Sequence, residues 1–360
     1  FGSRRVELEQ GVAASSRAMN VKRLAYECAF FGGALALGLS WSWEDPWTEK
    51  VCAVAMVIAW LVMNGGSPLG WLVVLATTLI TQQHWMRFIT GLTDMFGDIY
   101  DGYGGWAAGF VGYSIFIVTY CVHGLMLLPF DLWQSAREMA KPIKIQPKVH
   151  MAALRPRQLL SALAVNACVV AVYLAAMTAH VVWSRGSRGM RILGEGELKW
   201  SLPSKQEQVT CFLVGLAWNE LMFYYSHRLL HQPMLYKKLH KKHHEYTAPF
   251  ALAAIYCGPV EMLVSNLVPF LGIVSVYRFH LFFTYCWVAN AIMGTQTHHS
   301  GHRWPWMTIL DHQPNVHDLH HECFNYNYGN VGLCDFLHGT SRDYKAHAEQ
   351  KILRDHRKST

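Results

Sequence analysis

Histidines are concentrated in one part of this 360-residue chain, at spacings typical of metal ligands. Of the 20 histidines, 13 lie between positions 227 and 321. Residues three and four apart share one face of a helix, and neutral imidazole is the commonest metal ligand in proteins. Each cluster can therefore direct two or three nitrogens at one point. The four clusters are His227-Arg-Leu-Leu-His231, His240-Lys-Lys-His243-His244, His298-His299-Ser-Gly-His302 and His317-Asp-Leu-His320-His321.

The H-x-x-H-H spacing occurs twice, at His240 and again 77 residues later at His317. A basic helix end at the membrane surface, or an interfacial histidine pair beside Arg228, would explain one cluster alone. The recurrence of three imidazoles at identical spacing favours a shared site. We predict eight ligands: His227, His231, His240, His243, His244, His317, His320 and His321.

The third cluster leaves its ligand open. His298 and His302 are four residues apart, and His299 and His302 are three apart. Gly301 argues against a regular helix here, because glycine is a poor helix former. We expect one ligand from His298 and His299, and His302 stays a candidate.

Glu220 is the candidate catalytic residue. It lies in an apolar segment, where a carboxylate is costly and usually has a partner or a function. Glu220, Tyr224, His227 and His231 are spaced i, i+4, i+7 and i+11, so they share one helix face. We expect Glu220 to be a ligand or to support the histidines.

The number of nitrogens indicates the chemistry. A structural zinc ion is four-coordinate and a catalytic zinc ion keeps three protein ligands, so eight or more histidines suit two metal ions. Nitrogen-rich sites with open positions suit iron and dioxygen. Two iron ions with dioxygen as co-substrate would oxidise an unactivated C–H bond, which no side chain can do.

Composition indicates the elements that position these residues. The chain is 52% hydrophobic and 15% charged, whereas soluble domains carry roughly 25% charged residues. About 20 apolar residues cross a bilayer. Apolar segments lie at 24–43, 51–80 (interrupted at 64–68), 106–130 and 159–183, and the Gly-rich residues 91–105 are expected to form a loop. We therefore predict an all-α fold: a polytopic integral membrane helical bundle with a histidine-rich di-metal helical domain at the membrane face.

Four segments follow from this pattern. They are a polar N-terminal segment 1–23, a membrane-spanning helical region 24–200, a catalytic domain 201–345 and a charged C-terminal tail 346–360. No signal peptide is expected, since residues 1–20 have no apolar core. The net charge of +7 includes no run of five like charges, so we expect membrane lipids, and not nucleic acid, as the partner of the basic flanks.

Several segments resemble the fatty acid hydroxylase superfamily. The Thr247–Phe250 (TAPF), His299-Ser300-Gly301 and Pro305-Trp306 pieces are most similar to the branch of sterol 4-methyl oxidases and the fatty-acid-hydroxylase-domain-containing protein 2 group. The resemblance covers roughly 210–342. The superfamily segments are Trp218–His231, Tyr236–His244, Thr247–Phe250, His317–Gly329 and Asp335–Thr340.

The resemblance implies an endoplasmic reticulum oxidase with a non-haem di-iron centre on the cytosolic side. Electrons would come from a b-type haem cytochrome and its NAD(P)H reductase. The doubled His298-His299 departs from the superfamily pattern and leaves that ligand's register open. The implied ligands are His227, His231, His240, His243, His244, His299, His317, His320 and His321.

The leading functional hypothesis is a methylsterol monooxygenase-like enzyme that oxidises a sterol C–H bond, above all in a 4-methyl group. The alternative is a fatty acyl or sphingolipid hydroxylase, or a sterol desaturase, of the same superfamily. A histidine-rich metal transporter is less favoured, because the clusters lie at span ends and no repeat is present. A catalytically inactive lipid-binding relative is disfavoured by the complete histidine set.

Overall fold

The computed structural model describes residues 97–146, 155–185, 204–277, 279, 281–304, 313–348 and 350–351. Within these ranges the chain is helical without strands, and one isolated antiparallel bridge pairs Lys144 with His302. The all-α prediction is confirmed. The apolar segments predicted at 24–43 and 51–80 lie outside the described residues.

Eleven α-helices occur in the described part of the chain, joined by shorter turns. The 3-10 helices are Lys141–Ile143, His243–Glu245 and Ala251–Ala253, and the π-helices are Tyr236–His240 and Met262–Leu267. The α-helices are α1 (Gly97–Leu127), α2 (Pro129–Leu132), α3 (Gln134–Ala140), α4 (Pro156–Arg185), α5 (Lys205–Leu230), α6 (Pro233–Leu235), α7 (Pro259–Glu261), α8 (Val268–Val276), α9 (Leu281–His298), α10 (Asn315–Cys323) and α11 (Leu333–His338).

Three helical stretches are long and apolar enough to cross a membrane: Gly109–Leu132, Pro156–His180 and Pro259–Val276. The first two coincide with the predicted spans at 106–130 and 159–183. The expected loop at 91–105 is wrong from Gly97 onward, where α1 begins. Near a bilayer, backbone N–H and C=O groups need hydrogen-bonding partners, and a helix supplies them. This gain outweighs the low helix propensity of glycine. The protein is an integral membrane protein.

The third span contains two prolines and still continues. Pro259 stands at the start of α7, where its missing N–H leaves no bond unmade. Pro269 stands at the start of α8, directly after the π-helical turn Met262–Leu267. The wide turn accommodates a proline that cannot donate to the preceding turn. The helical stretch Pro259–Val276 therefore continues through both prolines.

The main hydrophobic core lies between α1, α4, α5, α8 and α9. Trp287 of α9 is 1% exposed and donates its indole N–H to the carbonyl of Phe270 at 2.7 Å. Gly215 of α5 lies under this ring, and a Cβ there would stand 2.9 Å from the Trp287 side chain. This close approach packs α5 against α9. His227 lies on α5, and the predicted ligands His231 and His299 directly follow α5 and α9.

Helix α5 buries several polar side chains and exposes a stripe of apolar ones. Ser204 caps its start by accepting the Glu207 N–H. Asn219 and Glu220 are buried, while Leu221 and Leu229 are exposed. Leu221, Tyr225 and Leu229 are spaced four apart and share a face, so an apolar stripe faces the surroundings. The interior face carries Asn219 and Glu220 among apolar side chains, and buried polar groups of this kind are typical of a helix that borders a polar site.

Candidate metal centre

Nine histidines meet in two neighbouring groups inside the helical domain. The ligand nitrogens within each group lie within 4.8 Å of one another. All nine side chains are buried. The first group contains five histidines, His227, His231, His240, His244 and His320, and the second contains four, His243, His299, His317 and His321.

The two H-x-x-H-H motifs are divided between the groups. In the first motif, His240 and His244 join the five-histidine group and His243 joins the other. In the second motif, on α10, the assignment is reversed: the i and i+4 residues join the four-histidine group, and His320 joins the five-histidine group. Ring centroids of His244 and His321, one from each group, are 4.6 Å apart. The motifs therefore interleave to build two adjacent sites.

Distances between ring nitrogens fit metal coordination. Two nitrogens bound at 2.0–2.1 Å to one metal ion at a right angle lie roughly 3 Å apart. In the five-histidine group, the His240 Nε2 lies 3.2 Å from that of His227 and 3.0 Å from that of His244. In the four-histidine group, His299 Nε2 lies 3.2 Å from His243 Nε2 and 2.9 Å from His317 Nε2. Each group can hold one metal ion.

In four of the nine histidines, a backbone carbonyl accepts a hydrogen bond from Nδ1 and fixes the orientation of the ring. Nδ1 of His227 donates to Tyr328 O at 2.8 Å, and Nδ1 of His320 donates to Tyr326 O at 2.7 Å. His299 donates in the same way to Thr295 O, and His321 to Tyr246 O. A carbonyl only accepts, so Nδ1 carries the proton and the Nε2 lone pair is left for a metal.

His240 has a carboxylate as its support. Its Nδ1 lies 2.9 Å from Oε1 of Glu261, and both side chains are almost fully buried. The second carboxylate oxygen, Oε2, is buried and has no hydrogen-bonding partner. A carboxylate behind a metal-bound histidine orients the ring and raises its basicity. Glu261 was not among the predicted site residues, although a carboxylate in an apolar span is a signal that sequence reasoning can use.

Several buried ring nitrogens have no protein partner. Both nitrogens of His231 and the Nε2 of His320 are in this state. Leaving a buried polar group unpaired costs about 1–3 kcal/mol. A metal ion within the five-histidine group would give His231 and His320 the partner they lack, so the donor set fits a bound metal.

Burial keeps these imidazoles neutral. Burial lowers the pKa of His227 to about 4, although the hydrogen bond to the Tyr328 carbonyl raises it in part. It lowers the pKa of His299 to about 3, with a smaller contribution from His298. For His243 and His317, burial and the neighbouring histidines hold the pKa well below the usual value. Neutral imidazole is the form that binds metal.

His298 and His302 lie outside both groups. The His298 ring centroid is 6.3 Å from that of His317. His302 donates from Nδ1 to Ser300 O at 2.6 Å, and its ring packs on Trp304. Helix α9 ends at His298, and Gly301 adopts a φ of +66°. His299 is thus the member of this cluster that faces the other eight histidines.

Glu220 also lies outside both groups. Its carboxylate accepts the backbone N–H of Val331 and of Cys334, each at 2.8 Å. Asp335 accepts the N–H of Tyr328 and of Gly329 in the same turn. These bonds hold the segment whose Tyr328 carbonyl orients His227. Glu220 therefore supports this turn through two backbone N–H groups and does not face the histidine groups.

Two cavities lie next to each other in the helical domain, and histidines line one of them. The first is lined by His227, His240 and His299 together with Glu261. The second lies among membrane helices, and its lining residues include no charged side chain. Four residues line both cavities: Ala254, Asn266, Phe270 and Thr295. An apolar chamber therefore shares a wall with the metal centre.

These features define an integral membrane protein in which two buried histidine groups, each able to hold a metal ion, lie beside an apolar chamber. Residues 212–340 match the family model described as "Fatty acid hydroxylase". All nine histidines fall within this match. Residues 212–340 are therefore a fatty acid hydroxylase domain, as the motifs predicted.

The same region is similar to curated proteins. Fatty acid hydroxylase domain-containing protein 2 of Homo sapiens is 41% identical over 152 residues, covering 41% of this chain and 44% of that protein. Fatty acid hydroxylase ahd1 of Mycosarcoma maydis is 38% identical over 156 residues, covering 43% and 40%. Methylsterol monooxygenase erg25B of Aspergillus fumigatus is 38% identical over 129 residues, covering 32% and 41%. The chain spans less than half the length of these three relatives, and no solved structure matches it.

Proposed function

We propose that this protein is a membrane di-iron oxidase that uses dioxygen to oxidise a sterol C–H bond, above all in a 4-methyl group. The observation that carries the proposal is the pair of adjoining histidine groups next to an apolar chamber. The nine histidines that face each other are the proposed ligands. Bound iron and dioxygen would supply the oxidising power that side chains lack.

The protein would position the lipid and keep water out. The ligand rings are buried, so bulk water does not reach them. The carbonyls of Tyr328, Tyr326 and Thr295 fix the ring orientations from behind. Such fixed donors need little reorganisation during the reaction. Glu261 would hold the proton on Nδ1 of His240, so that Nε2 is free for the metal.

The apolar chamber suits the body of an uncharged lipid. Its polar groups are largely occupied: Tyr120 donates its hydroxyl to Leu252 O, and Gln296 donates to Tyr120 O. Asn266 lies where the two cavities meet. We infer that a lipid lies in the chamber with its reacting carbon past Asn266, near the metals. A hydroxyl close to that carbon, as in a 4-methylsterol, could hydrogen-bond to the Asn266 amide.

Sterol specificity is supported by the TAPF and His299-Ser300-Gly301 pieces and by the similarity to methylsterol monooxygenase erg25B. A second candidate substrate is a fatty acyl lipid. The similarity to fatty acid hydroxylase ahd1 favours it, with the same percentage identity over a longer alignment. Both substrates carry the apolar body that the chamber accommodates.

We also propose an endoplasmic reticulum location with the metal centre on the cytosolic side. A b-type haem cytochrome and its NAD(P)H reductase would deliver electrons. Lys237, Lys238 and Lys241 are exposed on the segment that carries His240. Their positive charge would steer a negatively charged donor toward this face. Low ionic strength should then speed electron transfer.

Metal analysis of the protein purified in detergent tests the proposed centre. Two irons per chain are expected, and His320→Ala should lose iron while the protein remains folded. Tightly bound zinc without iron, under reducing and iron-replete conditions, would contradict the proposal. Lipid profiles of cells that lack the protein test the substrate: 4-methylsterols should accumulate, and unchanged 4-methylsterols would contradict sterol oxidation.

A further inference from the structure

A short segment outside the matched domain runs across the back of the metal centre. We name residues 141–146 the strap; they follow α3 at the end of the first described span. Ile145 N–H donates to Gly301 O at 3.0 Å, and Arg303 N–H donates to Ile143 O at 2.8 Å. The strap is thus paired with the loop that follows His299.

Gln146 links two further histidine segments. Its side-chain amide donates to Asp318 Oδ1 at 2.7 Å and to Thr247 O at 2.8 Å. Gln146 and Asp318 are both buried. An amide NH₂ has two N–H donors, so Gln146 can use one on each segment. Asp318 follows His317 directly, and Thr247 stands four residues after His243.

These contacts concentrate on the four-histidine group. The segments that the strap contacts carry His243, His299, His317 and His321, which are all four members. The five-histidine group has supports of its own, in the carbonyls of Tyr326 and Tyr328 and in Glu261. Two members of the five-histidine group, His244 and His320, lie on the same segments. The His320 ring is held by Tyr326 O, and His244 Nε2 lies 3.0 Å from His240 Nε2 in its own group. The two sites therefore have largely separate supports.

The strap is anchored at the membrane side. Lys144 Nζ lies 3.1 Å from Asp131 Oδ1, and the Asp131 side chain is only 3% exposed. Gly301 lets the strap approach closely, because a Cβ there would stand 2.8 Å from Pro249 O and 3.0 Å from Lys144 Nζ. A buried ion pair that loses one partner is strongly destabilising, so this attachment is firm.

We propose that Gln146 is a positioning residue for the four-histidine metal site. Its two hydrogen bonds keep the segments of His243 and His317 at the separation that a common metal ion requires. This role rests on the proposed two-metal centre and is independent of the lipid substrate. Loss of a group that orients metal ligands typically weakens metal binding about 10- to 100-fold.

Anaerobic titration of the metal-free protein in detergent with iron(II), followed by calorimetry, tests this role. The wild-type protein should show two sites. Gln146→Leu should leave one site unchanged and weaken the other about 10- to 100-fold, so that one iron per chain remains after desalting. Gln146→Met, closer in shape, should behave in the same way and serves if the leucine variant fails to fold.

Three further variants separate positioning from general destabilisation. Gln134→Leu makes the same substitution at an exposed position on α3 and should keep both sites. Asp318→Asn keeps a hydrogen-bond acceptor for Gln146 and should keep both metal sites. Asp318→Leu removes this acceptor and should weaken one metal site, as Gln146→Leu does.

Two tight sites in a folded Gln146→Leu or Gln146→Met protein would overturn the proposal. Equal weakening of both sites would also overturn it, because a general structural defect affects both groups. A wild-type protein that binds no iron would instead remove the metal centre itself, and this role of Gln146 with it.

Discussion

Nδ1 of His240 lies 2.9 Å from Oε1 of Glu261, at the point where a membrane span enters the metal centre. Four other ligand candidates are held by backbone carbonyls, which are neutral. His240 is the ligand candidate with a side-chain carboxyl group behind its ring, and this contact distinguishes the five-histidine group from its neighbour.

Removal of this carboxylate should weaken the five-histidine site. We predict that Glu261→Leu lowers iron affinity at one site about 10- to 100-fold and leaves the other unchanged. Glu261→Gln keeps a hydrogen-bond acceptor for His240 and should lose less iron affinity. Iron(II) titration measures both variants, with Glu138→Gln, at an exposed position, as the control. Equal affinities in Glu261→Leu and wild type would contradict a role in orienting His240.

The interleaved motifs predict which double variants lose both metals. His243→Ala with His317→Ala removes two ligands of one group and should leave one iron per chain. His243→Ala with His244→Ala removes one ligand of each group and should weaken both sites. Iron content after desalting distinguishes the two pairs. Equal iron content in both pairs would contradict the division of the motifs.

Asn266 lines both cavities, so a large side chain at this position should allow metal binding but block lipid oxidation. Asn266→Phe should fill the junction, keep two irons per chain and lower lipid oxidation by roughly 100-fold, since a small displacement of the reacting carbon has an effect of this size. Asn266→Ala leaves the junction open and should lose less activity. Undiminished oxidation in Asn266→Phe would show that lipid arrives by another route.

Alanine substitutions at two glycines with the same φ distinguish the cost of backbone strain from the cost of a steric clash. Gly301 and Gly339 both have a φ of +66°, but a Cβ at Gly339 would meet nothing within 4 Å. Gly301→Ala should destabilise the protein by about 1–3 kcal/mol more than Gly339→Ala, because it also overpacks the strap. Thermal unfolding in detergent measures the difference. Equal losses of stability would contradict a tight fit at Gly301.

The helical membrane fold could be predicted from the sequence. Eight ligand candidates, and a ninth from His298 and His299, could also be predicted, because the spacing of histidines on a helix is a local property. It leaves open which of His298 and His299 faces the other histidines. That choice depends on where α9 ends and how the chain turns at Gly301, which tertiary packing decides.

Other features depend on contacts between distant parts of the chain. Gln146 and Asp318 are 172 positions apart, and no local pattern relates them. The role of Glu220 has the same origin: its helix face is predictable, but its partners lie in the turn at 331–334. Helix α5 is not among the stretches apolar enough to cross a membrane, although its exposed stripe is apolar.

The most direct test of the central proposal is oxygen incorporation by the purified protein. The iron-loaded protein, in lipid nanodiscs with a chemical reductant, is supplied with a 4-methylsterol and ¹⁸O₂, and the products are analysed by mass spectrometry. We predict a hydroxymethyl sterol that carries one ¹⁸O atom, and none with His320→Ala. Two bound irons with no ¹⁸O in the sterol product would contradict hydroxylation of the 4-methyl group.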